Sequence, residues 1–301
     1  VKKRTLIFLT ALMVFTLIAS LGCSKQNGKT IQMATDTTAE ESVISEMVKE
    51  IIENKTDLKV EITKGISGGT GNIHPAMVKG DFDMYPEYTG TAWMYVLKRT
   101  DLLHDNEALF NELKKEYKEK FDFEWIGLYG FNNSYGLMIQ PEIAEKYNIN
   151  TYSDLAKHAD QLVFGAEYDF FEREDGYDGI CNAYNMNFKS YVDMNFALKY
   201  DALHAKEVDV IVIFTTDGKL ASADGKVLVD DLNFFPKYLC GTVIRGEVLE
   251  EYPELCEPLM LMNDLINDEE MTELNYKTEV LNLEESEVAL EYLKEKKILE
   301  K

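Results

Sequence analysis

Four aromatic residues stand where extended runs of the chain break into turns. They are Tyr88 in Tyr85-Pro86-Glu87-Tyr88-Thr89-Gly90-Thr91, Tyr135 after Asn132-Asn133-Ser134, Phe214 before Thr215-Thr216-Asp217-Gly218, and Tyr238 closing Phe234-Phe235-Pro236-Lys237. If two lobes close on each other, these rings can converge, and a cage of ring faces suits a quaternary ammonium ion. Such an ion has no N–H to donate and spreads its charge over methyl groups. Each ring face attracts it by roughly 0.5–2 kcal/mol, without the desolvation cost of a buried carboxylate partner. Spacing alone leaves a second reading open: four core rings among 17 Tyr, 15 Phe and 2 Trp.

One enzyme motif is present. Gly65-Ile66-Ser67-Gly68-Gly69 matches the G-x-S-x-G nucleophile elbow and follows a strand-like run. The elbow needs an immediate helix, whereas Thr70, Gly71 and Asn72 read as more loop. A triad also needs a loop histidine; His204 reads as mid-helix, and His104 and His158 lie in polar flanks. A serine hydrolase using Ser67 is therefore the weaker rival, and no catalytic residue is assigned. Asp81 and Asp83 lack the rest of a calcium loop, so neither metal nor cofactor is expected.

Several elements would position these residues. Thr30–Ala34 reads as a first strand, and Thr38 with Glu41 as a capping box opening a helix to about Asn54. Leu58–Thr63 is a strand, Gly65–Gly71 a loop, Pro75–Lys79 a short helix and Asp81–Tyr85 a strand that Pro86 should end, with Thr91 capping the next helix. Strand–helix–strand order predicts a mainly parallel sheet with crossover helices. Glu107–Lys120 is a helix, Phe123–Phe131 a strand, and Asn132-Asn133 a crossing into a second lobe. That lobe repeats the pattern: a helix at Pro141–Tyr147, Ser153 capping Asp154–Ala159, a strand at Leu162–Ala166, a helix at Asn195–Lys206 and an apolar strand at Val208–Phe214. Leu239–Arg245 returns to the first lobe, and the remainder is helical.

The 301 residues are 46% hydrophobic and 28% charged, enough for two lobes, and the net charge of −23 argues against nucleic-acid binding. Lys2, Lys3 and Arg4 before the apolar run Leu6–Leu21 and Gly22-Cys23 read as a lipoprotein signal, although Ser20 stands where the lipobox usually has Leu. The expected organisation is a signal at 1–22, a tether at 23–29 held to the membrane by lipid on Cys23, a first lobe at 30–133, a second at 134–239, and a return to the first at 240–301. Cys181, Cys240 and Cys256 fit no zinc motif and read as buried thiols, with a Cys240–Cys256 disulfide unsupported.

The aromatic turns carry a resemblance. Gly68–Asn72 with His74-Pro75-Ala76, Asp83–Thr91, Phe131–Tyr135, Phe214–Gly218 and Phe234–Tyr238 occur in the order and spacing of the glycine betaine/choline/carnitine-binding proteins, the extracytoplasmic receptors of osmoprotectant ABC importers. The resemblance implies a type II periplasmic-binding-protein fold, two α/β lobes joined by a two-stranded hinge near 132–135 and 238–241. It implies a monomeric, membrane-anchored binding protein that closes on its solute and serves an integral-membrane permease with a cytoplasmic ATPase. It places the aromatic box on Tyr88, Tyr135, Phe214 and Tyr238, with Thr91 beside it and Asn133 and Arg173 as candidate polar contacts. Another small solute, such as an amino acid or polyamine, is the rival ligand. Two departures bear on specificity. Phe214 lacks the hydroxyl that relatives often carry there, and the acids Asp36 and Glu41 favour a cation without a carboxylate, such as choline. Arg173, in Phe170-Phe171-Glu172-Arg173-Glu174-Asp175, could instead grip a ligand carboxylate or form a surface salt bridge.

Overall fold

The computed structural model describes residues 30–101, 103, 105–195 and 198–300. The expected signal and tether, Cys23 and His104 lie outside the described residues. Alternating side chains build a first sheet from β1 (Thr30–Ala34), β2 (Lys59–Thr63), β3 (Met84–Tyr88), β4 (Phe123–Ile126) and, from far along the chain, β10 (Cys240–Arg245). Its order is β2-β1-β3-β10-β4, with β1 parallel to β2 and β3, and β10 antiparallel to β3 and β4. A second sheet holds β5 (Tyr135–Ile139), β6 (Val163–Ala166), β7 (Ser190–Asp193), β8 (Val210–Phe214) and β9 (Lys226–Val227), in the order β7-β6-β8-β5-β9. There β6 is parallel to β7 and β8, and β5 is antiparallel to β8 and β9. In each sheet the strand that runs against the rest is the one that has just crossed from the other sheet.

Among the described residues, the helices of ten or more residues are α1 (Ala39–Lys55), α2 (Thr70–Lys79), α3 (Asn106–Phe121), α4 (Asp268–Glu279) and α5 (Glu285–Glu295). Both faces of the first sheet are covered at its centre, where β10 is buried on both sides from Cys240 to Ile244, while the edge strand β2 exposes Lys59, Glu61 and Thr63. Met84 faces the core formed with α1, α4 and α5, while its neighbour Tyr85 faces the core formed with α2 and α3. The second sheet divides likewise: Val210 and Val212 enter one core, Ile211 and Ile213 the other.

Two segments join the sheets side by side. The Tyr129 N–H donates to the Cys240 carbonyl at 2.8 Å, the Asn133 N–H donates to the Tyr238 carbonyl at 3.1 Å, and Asn132 bridges Leu239. Gly130, at φ +115°, makes the bend into this pair; a Cβ there would stand 2.6 Å from the Ile266 carbonyl oxygen.

Several sequence expectations give way. Pro86 lies inside β3. The bonds Arg245 N–H to Asp83 O and Thr89 N–H to Leu239 O show that odd-numbered residues of this stretch face β10. Pro86 therefore turns its nitrogen towards the β1 side, where pairing has already ended at Met84, so no ladder bond is lost. Helix α2 starts at Thr70, five residues before Pro75, because the glycine loop winds directly into it. Thr91 lies inside a helical run, Thr89–Thr91 continuing into Ala92–Val96, and its side chain makes no capping bond. Thr151, not Ser153, caps its helix by accepting from the Asp154 N–H. Only half of the capping box at α1 forms: Thr38 accepts from the Glu41 N–H, but the Glu41 carboxylate accepts from the Asp36 N–H. β4 stops at Ile126, and β7 and β9 carried no sequence signal. The three described cysteines are free; Cys240 is buried, but Cys256 is exposed.

Candidate functional site

The ends of the strands meet in a cavity of about 90 Å³ between the two sheets. Carboxyl ends of β1, β3, β6 and β8 contribute to it, the usual place for a ligand in open α/β sheets. All seven predicted side chains line it: Tyr88, Thr91, Asn133, Tyr135, Arg173, Phe214 and Tyr238. Tyr95, Asp36, Thr38, Glu41, Thr70 and Asp169 line it as well.

The rings are held from behind. The Tyr135 ring centre lies 5.0 Å from Phe214 and 5.4 Å from Tyr238, the latter edge-on. Tyr238 is buried, and Gly90 makes room for it: a Cβ at position 90 would stand 2.6 Å from two of its ring carbons. Thr89 stitches this junction, donating to the Lys237 carbonyl at 3.0 Å and accepting from the Leu239 N–H at 3.1 Å. Behind Phe214, the fully buried Lys199 ammonium lies 4.9 Å from the ring centre and pairs with Glu167 and Asp217 at 3.2 and 3.1 Å. The half-buried Tyr88 donates its hydroxyl to Glu40 at 2.6 Å.

Arg173 is not a surface cation. It is 7% exposed, and its partner is neither Glu172 nor Glu174 but the fully buried Asp175. Nε donates to Asp175 Oδ1 at 2.8 Å, and Nη2 donates to Oδ2 at 2.7 Å and to Thr91 Oγ1 at 3.3 Å. The guanidinium carbon lies 5.5 Å from the Tyr95 ring centre and 5.2 Å from that of Tyr135. The Tyr238 hydroxyl also donates to Asp175. Nη1 makes no hydrogen bond among the described residues, so it is the nitrogen left for a ligand oxygen.

Three acids, Asp36, Glu41 and Asp169, line the same cavity. Thr38 donates its N–H and hydroxyl to Asp36 Oδ1 at 2.7 and 2.6 Å. Even so, burial pushes the Asp36 carboxyl up to about 6. Burial, and then the charge of Asp36, holds Glu41 well above the usual carboxylate range. Beneath the cavity Glu87 accepts from the Tyr88 N–H at 2.8 Å, Thr70 Oγ1 at 3.2 Å and the Tyr85 hydroxyl at 3.1 Å, and burial pushes it up to about 7. The Tyr85 oxygen lies 3.0 Å from His74 Nδ1, whose ring burial pushes down to about 4 and so keeps neutral at pH 7. With Arg173 already matched by Asp175, the charge left to attract a cation includes that of Asp36, whose carboxyl at about 6 is mostly ionised at pH 7, whereas Glu41 is held in its neutral form.

Ser67 is exposed and does not line the cavity, and α2 begins three residues after it. Asp175, Tyr95 and Glu40 are the participants that sequence reasoning missed. Asp175 lies two residues from Arg173 and was within reach of an ion-pair argument. Tyr95 and Glu40 look like ordinary helix residues in the sequence.

A family model described as the substrate-binding domain of ABC-type glycine betaine transport systems matches residues 29–295. The chain is 41% identical over 296 residues to the ergothioneine transport permease/ergothioneine binding protein of Helicobacter pylori. That match covers 97% of this chain and 53% of the relative, so the chain spans about half the length of that protein. It is 35% identical over 305 residues to a carnitine transport binding protein of Listeria monocytogenes, covering 99% of this chain and 98% of that one. Among solved structures, a glycine betaine/carnitine/choline ABC transporter protein superposes with a TM-score of 0.71 at 33% identity, over 89% of this chain and 99% of that one.

Proposed function

The chain belongs to the family of substrate-binding domains of ABC-type glycine betaine transport systems, and on that premise we propose that it captures a quaternary ammonium solute in an aromatic cage between two lobes. Proteins of this family bind substrate for transport and are not enzymes, so Ser67 has no catalytic part. The cage consists of Tyr88, Tyr135, Phe214 and Tyr238. The observation that carries the reading is the convergence of these four rings on one small cavity that Asp36 also lines. Thr91 and Asn133 stand at its edge, and Nη1 of Arg173 offers one charged donor to a ligand carboxylate. Glycine betaine, carnitine and choline share the trimethylammonium head this cage would hold. The lobes, 30–133 with 240–301 and 134–239, close by bending at the paired crossing segments, and the closed form is handed to the permease and its ATPase. A lipid on Cys23 tethers the monomer outside the cell membrane.

The polar side of the cavity favours a second reading within the same class. Asp36, Thr38 and Thr70 line the same cavity as Arg173 and carry oxygen acceptors. They suit a betaine that also carries N–H donors, as ergothioneine does on its imidazole-derived ring. A thermal-shift panel of glycine betaine, carnitine, choline, ergothioneine, an amino acid and spermidine separates these ligands. A bound solute raises stability by about 2.7 kcal/mol at a hundredfold excess over Kd. Stabilisation by the amino acid or spermidine, with none by any quaternary amine, refutes the proposal.

A further inference from the structure

Glu40, one residue into α1, is 3% exposed and does not line the cavity. Four donors converge on it. Oε1 accepts from the Tyr88 hydroxyl at 2.6 Å and Asn133 Nδ2 at 2.7 Å; Oε2 accepts from the Thr216 hydroxyl at 2.6 Å and Asn275 Nδ2 at 2.8 Å. No ion pair with Glu40 occurs among the described residues. Burial outweighs the four donors and raises its carboxyl above the ordinary range, while every one of its four partners donates to it. A cation arriving on the Tyr88 ring would add to the donors' side.

The Tyr238 hydroxyl also donates to a buried carboxylate, that of Asp175. The difference lies in what else that carboxylate holds. Asp175 is gripped at both oxygens by Arg173, whereas Glu40 has only neutral donors. A phenol that donates to an unneutralised carboxylate shares its proton, its oxygen becomes more electron-rich, and the negative ring face deepens. In a low-dielectric surrounding the carboxylate's own charge also reaches the cage.

We propose that Glu40 is a specificity-determining residue: through the Tyr88 hydroxyl it makes the cage select a cation over a neutral molecule of the same shape. This rests on the reading of the cavity as a quaternary ammonium site. It assigns the charge preference to one ring of the cage and to a residue that never touches the ligand.

The test compares choline with 3,3-dimethylbutan-1-ol, which replaces the ammonium nitrogen by carbon and keeps the shape. Both are titrated calorimetrically into the wild type and into Glu40→Gln, Tyr88→Phe and Tyr238→Phe, the alcohol also by displacement of choline at millimolar concentration. In Glu40→Gln and Tyr88→Phe, choline is expected to weaken about tenfold while the alcohol is unchanged, so the preference for the cation falls by the same factor. Tyr238→Phe is expected to weaken both ligands alike. Should Glu40→Gln fail to fold, Tyr88→Phe, which leaves Glu40 three donors, carries the test. Equal loss of choline and alcohol in these variants, or an unchanged preference, overturns the role of Glu40 while the cage reading stands. A wild type that binds none of choline, glycine betaine, carnitine and ergothioneine removes the cage reading itself.

Discussion

Replacing Arg173 by alanine deletes the one cation on the cavity wall among the described residues and separates zwitterionic ligands from purely cationic ones. Nε and Nη2 serve Asp175 and Thr91, so a ligand carboxylate would be met by Nη1. A hydrogen bond to a charged partner contributes about 1.5–3 kcal/mol, so glycine betaine should weaken roughly ten- to hundredfold. Choline presents no carboxylate. The variant also leaves Asp175, fully buried, as a bare anion beside the cage, so choline should bind as well as before or more tightly. An uncompensated buried carboxylate costs about 3–5 kcal/mol, so the unliganded variant should unfold at markedly lower temperature. Arg173→Ala/Asp175→Asn removes both charges; it should recover most of that stability and none of the affinity for betaine. Calorimetric titration of both ligands and thermal denaturation of the three proteins give the result. Equal loss of betaine and choline in the single variant, or recovery of betaine binding in the double one, refutes Nη1 as the carboxylate contact.

Glu87 makes stability depend on pH in a stated direction. Its folded value of about 7 lies above the ordinary 4.5, so the folded chain keeps a proton that the unfolded chain has lost, and stability falls as pH rises from 4.5 to 7. Urea denaturation should find Glu87→Gln more stable than the wild type by up to about 3 kcal/mol at pH 8 and little changed at pH 5; an equal gain at both values counts against the argument. Gly90→Ala would set a Cβ 2.6 Å from the Tyr238 ring and 3.0 Å from the Lys237 carbonyl oxygen. It should lower stability by about 1–3 kcal/mol and weaken every quaternary ammonium ligand alike, and unchanged affinity by calorimetry would show that Tyr238 forms no wall of the cage.

The turns that carry the four rings were legible in the sequence because they are local. Spacing alone left those rings as core residues, and it was the family resemblance that put them, with Thr91, Asn133 and Arg173, on one wall. Each ring sits in a turn announced by Pro, Gly, Asn or Thr-Asp-Gly, and each turn follows an apolar run readable as a strand. Once both runs of strands were known to form sheets, their carboxyl ends had to face a shared cleft, and the seven side chains came together. The apolar run at Val210–Phe214 likewise announced a strand covered on both faces.

What the tertiary structure alone decided is who pairs with whom across distance. Glu40 and Glu41 are adjacent acids in the first turn of α1, both favoured there by the helix dipole. Nothing local tells that one accepts from residues as far along the chain as Asn275 while the other turns back to Asp36. Pro86 sits within a sheet because its partner strand β1 ends early, a matter of neighbour length that no property of Pro86 encodes. β7 is fully exposed, so its side chains carry no alternation to read. Arg173 looks alike in sequence whether it faces solvent or a cage; burial, and the single carboxylate buried with it, give it its role. Periodicity and turn chemistry are written residue by residue, whereas burial and charge pairing belong to contacts that exist only after the chain has closed on itself.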